Sequence, residues 1–189
     1  ARLLPRARLA QLAVTGPAAA ASSRARGRTR ALLLDYINAG GLPLLNRLML
    51  RMAGGGIRTV LTLLADPQRH PVAFYCTAGK DRTGIVAALV LKVLGATEEE
   101  VVEDYAISDN VYAQMGDHTA MVGALQQRDL DPDVFLQAPP KVMQQVLEDI
   151  TQEYGGVTGY LDHIGFNQEQ RNQLIKALTQ ETKQEQKEN

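Results

Sequence analysis

The chain has 189 residues, 45% hydrophobic and 22% charged, a size that suits one domain able to bury a core without disulfides or structural metals. A single cysteine leaves no partner for an intrachain disulfide and rules out a cysteine-rich zinc site. No charge-free apolar run reaches the length of a membrane span, and the absence of Trp with few aromatics argues against a nucleic-acid binder that works by base stacking.

The net charge of −1 hides an asymmetry. Residues 1–65 carry ten Arg, no Lys and one acid, Asp35, for a net +9, against −10 in the remainder. Three readings fit an Arg- and Ala-rich, acid-poor start: an organellar transit segment, codon composition that favours Ala and Arg, or an electropositive rim that draws anionic substrates. The expected location is cytoplasmic, with an organelle as the alternative.

In chain order, residues 1–30 show no clean period, and the stretch AAAASSRARGRTR at 18–30 reads as loop or poorly ordered chain. One domain is expected over 31–180, followed by a polar tail at 181–189. Residues 31–37 are apolar and fit either a strand or a helix start. Leu44 to Met52 reads as helix, and Ile57, Val60, Leu61 and Leu64 recur at helical spacing until Asp66-Pro67 stops them. PVAFYC at 71–76 is short, apolar and β-rich, and reads as a buried strand. After the polar turn TAGKDRTG, the run IVAALVLKVL to Gly95 reads as a buried helix.

Thr97 and Glu100 form a capping box for the next helix. Pro139-Pro140 opens another, with apolar Val142, Met143, Val146, Leu147 and Ile150, and Gly155-Gly156 ends it. Val157 to Ile164 is a short helix. Asn167 caps the last one, with Leu174, Ile175 and Leu178 expected to face inward. The helices after residue 96 are expected to pack around the strand and loop, with part of them forming a lid.

The chemistry lies in the loop Cys76-Thr77-Ala78-Gly79-Lys80-Asp81-Arg82. Small residues between a strand end and a helix start let several amides converge on one point, a nest for a tetrahedral anion. The helix N-terminus adds its positive dipole end. Arg82 can grip two phosphate oxygens through its planar fork. The same field favours the Cys76 thiolate, and the Thr83 hydroxyl can donate to the sulfur. Nucleophilic attack then gives a phosphocysteine that water hydrolyses. No metal or other cofactor is required.

The pattern C-x5-R followed by Thr-Gly resembles the signature of the protein tyrosine phosphatases. CTAGKDRTG is similar to the atypical, bacterial- and plant-type subgroup with the loop HCxAGKDRTG, which is related to dual-specificity and lipid phosphatases. EDYAISDN at 103–110 and GGVTGYLDHIGFNQEQRNQLIKAL at 155–178 look like later helices of that subgroup, so the resemblance covers about residues 55–180.

The resemblance implies an α/β fold: a small, mostly parallel sheet surrounded by helices, with a largely helical C-terminal half. It implies Cys76 as nucleophile, Arg82 as phosphate clamp, Asp81 as general acid and a substrate cradle of Thr77, Ala78, Gly79, Lys80, Asp81, Arg82 and Thr83. Lys80 would contact a second anionic group. The substrate would be a phosphorylated protein or a phosphoinositide.

Two departures stand out. Tyr75 replaces the family's His before the cysteine, which predicts a higher thiol pKa or a slower enzyme and keeps a pseudophosphatase, a phosphate-binding module with weak or no turnover, as the alternative. The upstream strand ending in Asp-Leu-Arg has no counterpart here, so the first part of the sheet is expected to be divergent or missing. A sulfurtransferase or arsenate-type thiol enzyme is a more distant reading. His70, His118 and His163 share no metal-ligand spacing and read as surface or cap residues. Asp35, Asp66 and Asp109 are secondary acid candidates that fit helix and turn roles better.

Overall fold

The computed structural model describes residues 23–114 and 119–179, with backbone alone over 109–114. Nine helical segments occur among these residues: α1 (Ser23–Met52), α2 (Gly54–Leu64), α3 (Asp81–Val93), α4 (Glu98–Gln114), α5 (Thr119–Gln126), α6 (Pro132–Phe135), α7 (Pro140–Tyr154), α8 (Val157–His163) and α9 (Gln168–Thr179). A single 3-10 turn at Pro67–Arg69 follows α2.

The centre is α3, which touches α1, α2, α4 and α8. Its run of apolar residues buries Ile85, Val86, Ala88 and Leu89, as expected for a helix surrounded on most sides. On one side, α2 turns Ile57, Leu61 and Leu64 inward at i, i+4 and i+7. On the other, α7 buries Val142, Met143, Val146, Leu147 and Ile150 and packs along α4. Removing most of a side chain such as Leu89 would cost about 2–5 kcal/mol.

Local signals set the element ends. The Thr97 hydroxyl accepts from the Glu100 amide at 3.2 Å while the Glu100 carboxylate accepts from the Thr97 amide at 2.7 Å, the reciprocal capping box. Asn167 and Gln170 repeat the device before α9, with both bonds at 3.0 Å. Gly155 ends α7 at a φ of 78°. The long α1 bends at Gly41 (φ 54°, ψ −153°), and Pro43 follows in the first turn of the second half.

Two parallel rungs join that second half of α1 to α7. Arg47 donates to both carboxylate oxygens of Asp149, at 3.0 and 2.6 Å. One turn on, Arg51 grips Glu153 in the same two-point fashion. Tyr160 of α8 lies wholly buried and donates to the Leu50 carbonyl at 2.9 Å, and burial pushes its hydroxyl pKa well up.

Three expectations are corrected. The parallel sheet is absent: no β-strand occurs among the described residues. Residues 72–76 do alternate strand-fashion, with Val72 and Phe74 packed against the core and Ala73 and Tyr75 exposed. They are not hydrogen-bonded into a ladder, because among the described residues no second extended segment lies alongside, and a strand requires a partner. Residues 23–30, read as poorly ordered, form the first turns of α1; Arg is a good helix former. In α9 only Leu174 of the three apolar residues is buried, while Ile175 and Leu178 stay exposed. Residues 1–22 and the 181–189 tail lie outside the described residues.

Candidate active site

The loop between Cys76 and Arg82 connects the extended segment to α3, which begins at Asp81. Gly79 adopts a φ of +66°, and its amide donates to the Cys76 carbonyl at 3.2 Å, folding the loop back on itself. The Gly84 amide donates to the Lys80 carbonyl at 2.6 Å and starts the helical ladder.

Burial alone would raise the Cys76 thiol pKa, since it disfavours the anion. The Thr83 hydroxyl and the amides of Thr83, Lys80 and Ala78 outweigh it and bring the thiol down to about 7. The Thr83 oxygen is itself buried, and no hydrogen bond of ordinary geometry engages it in the resting site, which leaves the hydroxyl able to turn toward the sulfur. These donors come from the loop and the first turn of α3, where helix amides have no carbonyl partner within the helix.

Cys76, Arg82 and Thr83 share a cavity of about 260 Å³. Its other walls are Met49 and Ala53 at the α1–α2 junction, Gly56, Ile57 and Val60 of α2, Phe74 and Tyr75, and Ile85 and Val86 of α3. Arg82 is exposed, and its Nη2 donates to the Thr77 hydroxyl at 3.3 Å across the loop. The thiol and the guanidinium thus share one cavity, and the remainder of its wall is largely apolar.

Lys80 and Asp81 are not among the cavity's lining residues. The Lys80 side chain is 1% exposed, and its ammonium bonds Asp81 Oδ1 at 2.7 Å. It is directed inward, where the expected contact with a second anionic group would require it to face solvent. Asp81 retains 16% exposure. Tyr105 of α4 also donates to Oδ1, at 3.4 Å. Among the described residues no lid is seen: none after residue 96 lines the cavity, and α4 packs on α3 with α7 along α4.

Tyr75 is 86% exposed at the rim of the cavity it helps to line, and it is not among the groups that lower the thiol. Two features went unrecognised in the sequence: Tyr105, whose only sign was its place in EDYAISDN, and the apolar wall from α1 and α2. His70 Nε2 donates to the Leu64 carbonyl, 2.9 Å away, and His163 packs on the Tyr154 ring. His118 lies outside the described residues, and the described residues hold no cluster of metal-ligating side chains. Asp66 caps the 3-10 turn through the Gln68 amide at 3.0 Å; the side chain of Asp109 lies outside the description. No described helix is long and apolar enough to cross a membrane.

Similarity to known proteins agrees with this geometry. A tyrosine-protein phosphatase of Nostoc commune is 36% identical over 129 residues, covering 65% of this chain and 44% of that protein. The triple specificity protein phosphatase PtpB of Mycobacterium tuberculosis is 33% identical over 136 residues, 65% of this chain and 48% of that protein. A putative tyrosine-protein phosphatase of Cupriavidus necator is 46% identical over 41 residues. The chain therefore spans less than half the length of the first two relatives. The family model described as "Tyrosine phosphatase family" matches residues 7–180, well upstream of the start at about residue 55 expected from the motifs. With that span matched, and with the cysteine and arginine of the signature loop facing one cavity, the chain belongs to the tyrosine phosphatase family.

Proposed function

We propose that this protein is a cysteine-dependent phosphatase that hydrolyses phosphomonoesters through a phosphocysteine intermediate. The observation that carries the reading is the Cys76 thiol, held to about 7 by the Thr83 hydroxyl and three loop amides, in one cavity with Arg82. Near neutrality about half of such a thiol is nucleophile.

In the first step the Cys76 sulfur attacks phosphorus, the bond to the leaving oxygen breaks, and Asp81 supplies that oxygen with a proton. The loop amides and Arg82 stabilise the equatorial oxygens. In the second step Asp81 takes a proton from water, which attacks phosphorus and returns the thiolate. The apolar wall beside Cys76 suits an aryl phosphate such as phosphotyrosine. A phosphoinositide would require Lys80 to leave Asp81 and meet a second phosphate. Release of phosphate from p-nitrophenyl phosphate, abolished by Cys76→Ser, tests the reading; equal rates in both proteins refute it.

One observation favours a second reading, a phosphate-binding module with weak turnover. Tyr75 stands in solvent and offers the loop no hydrogen bond. That reading predicts phosphate binding lost in Arg82→Ala, with no catalysis in the parent.

A further inference from the structure

The general acid of the proposed reaction requires one carboxyl oxygen to carry the proton and to be held still. The arrangement behind the loop divides the two oxygens of Asp81. Oδ1 accepts from Lys80 Nζ at 2.7 Å and from the Tyr105 hydroxyl at 3.4 Å. Among the described residues no hydrogen bond reaches Oδ2. A protonated carboxyl in this setting places its proton on Oδ2, because Oδ1 is occupied as an acceptor by two donors.

Tyr105 is well placed for this work. It is 3% exposed and reaches the loop from α4, across the first turn of α3. Its ring lies so close to Gly84 that a Cβ there would stand 2.8 Å from it. The missing side chain at Gly84 therefore lets the ring approach the loop, and the hydroxyl reaches a residue 24 positions away in sequence.

We propose that Tyr105 is a positioning residue for the proposed reaction: with Lys80 it fixes Asp81 by Oδ1, so that Oδ2 is the oxygen presented to the leaving group. The inference rests on the acid role of Asp81. It explains why an otherwise apolar inward position of α4 carries a hydroxyl.

The test compares the full chain with Tyr105→Phe and Asp81→Asn on phenyl phosphate and p-nitrophenyl phosphate. Phenolate is the poorer leaving group and depends more on the acid. The ratio of the two rates within one protein is independent of how much of it is folded. Asp81→Asn is expected to lower the phenyl-to-nitrophenyl ratio by about 100-fold, in the range of general acid catalysis. Tyr105→Phe, which keeps the ring, is expected to lower it about fivefold, the size of one hydrogen bond. If Asp81→Asn lowers the ratio and Tyr105→Phe leaves it unchanged, the Tyr105 inference fails alone. If neither lowers it, or the parent shows no turnover, the acid role of Asp81 fails and the inference with it.

Discussion

The Lys80 ammonium and the carboxylate of its immediate neighbour Asp81 form an ion pair at 2.7 Å beneath the phosphate loop, with the lysine side chain only 1% exposed. Breaking such a pair from one side differs sharply from breaking it from the other. Asp81→Ala would leave a buried cation unpaired and is expected to cost about 3 kcal/mol. Lys80→Met puts an apolar chain of similar length in the buried position and leaves the unpaired charge on Asp81, which keeps 16% exposure to solvent, so it is expected to cost less than Asp81→Ala. Urea unfolding of the two variants measures both; equal losses would contradict the asymmetry.

The thiol gives a pH-dependent signal. Its folded value, about 7, lies below the ordinary one, so the thiolate persists above pH 7 and is lost as the pH falls through it. Alkylation of Cys76 by iodoacetamide should therefore rise to half its maximum near pH 7. Thr83→Ala removes a donor to the sulfur, and its alkylation midpoint should move upward toward the free thiol. The linked contribution to stability has the same sign: it is complete above the unfolded thiol's value and gone once the pH is well below 7.

In the proposed reaction Arg82 contributes more than charge. Its fork can meet two phosphate oxygens at once, which a lysine ammonium cannot reproduce. Arg82→Lys is expected to lower kcat on p-nitrophenyl phosphate by about 100-fold, comparable with loss of one oxyanion donor. Steady-state kinetics at saturating substrate provides the comparison, and a variant retaining most of the parent's kcat would count against the clamp.

Gly84 separates two opposing effects. Alanine is the better helix former by ~1 kcal/mol, yet a Cβ at this position would meet the Tyr105 ring at 2.8 Å. The ring belongs to a side chain only 3% exposed and has little room to give. Gly84→Ala should therefore be net destabilising by about 1–2 kcal/mol. Thermal unfolding would show a lower midpoint, and in the Tyr105→Leu background the same substitution should be tolerated better.

Much of the helical part was legible because its signals are local. The Thr97–Glu100 and Asn167 caps, the Gly155 stop and the inward stripe of α7 all depend on residues within a few positions of one another. The loop was legible for the same reason: Cys76, Arg82 and Thr83, which line one cavity, lie within eight consecutive residues. The sheet was not, because Val72 to Cys76 have the alternation of a strand but a ladder depends on a second segment that their own sequence does not specify. The helical start of α1 was misread because Ser, Gly and Arg were weighed as loop composition, although Arg itself favours helix. Tyr105 and the inward turn of Lys80 are tertiary facts. A side chain reaching 24 residues back leaves no periodic trace.

The rungs between α1 and α7 also act as a gauge. Arg47 and Arg51 are four residues apart, as are Asp149 and Glu153, so the two helices run in the same direction and the rungs match only at one offset. A slide of one turn, about 5.4 Å, would bring one arginine opposite the wrong acid and strand the other two groups. The helix pair is thus a ratchet with one fully engaged tooth position. Met49, between the two rungs, is a wall of the cavity that holds Cys76. A slip of the ratchet would therefore carry Met49, and with it one wall of that cavity, along by the same step.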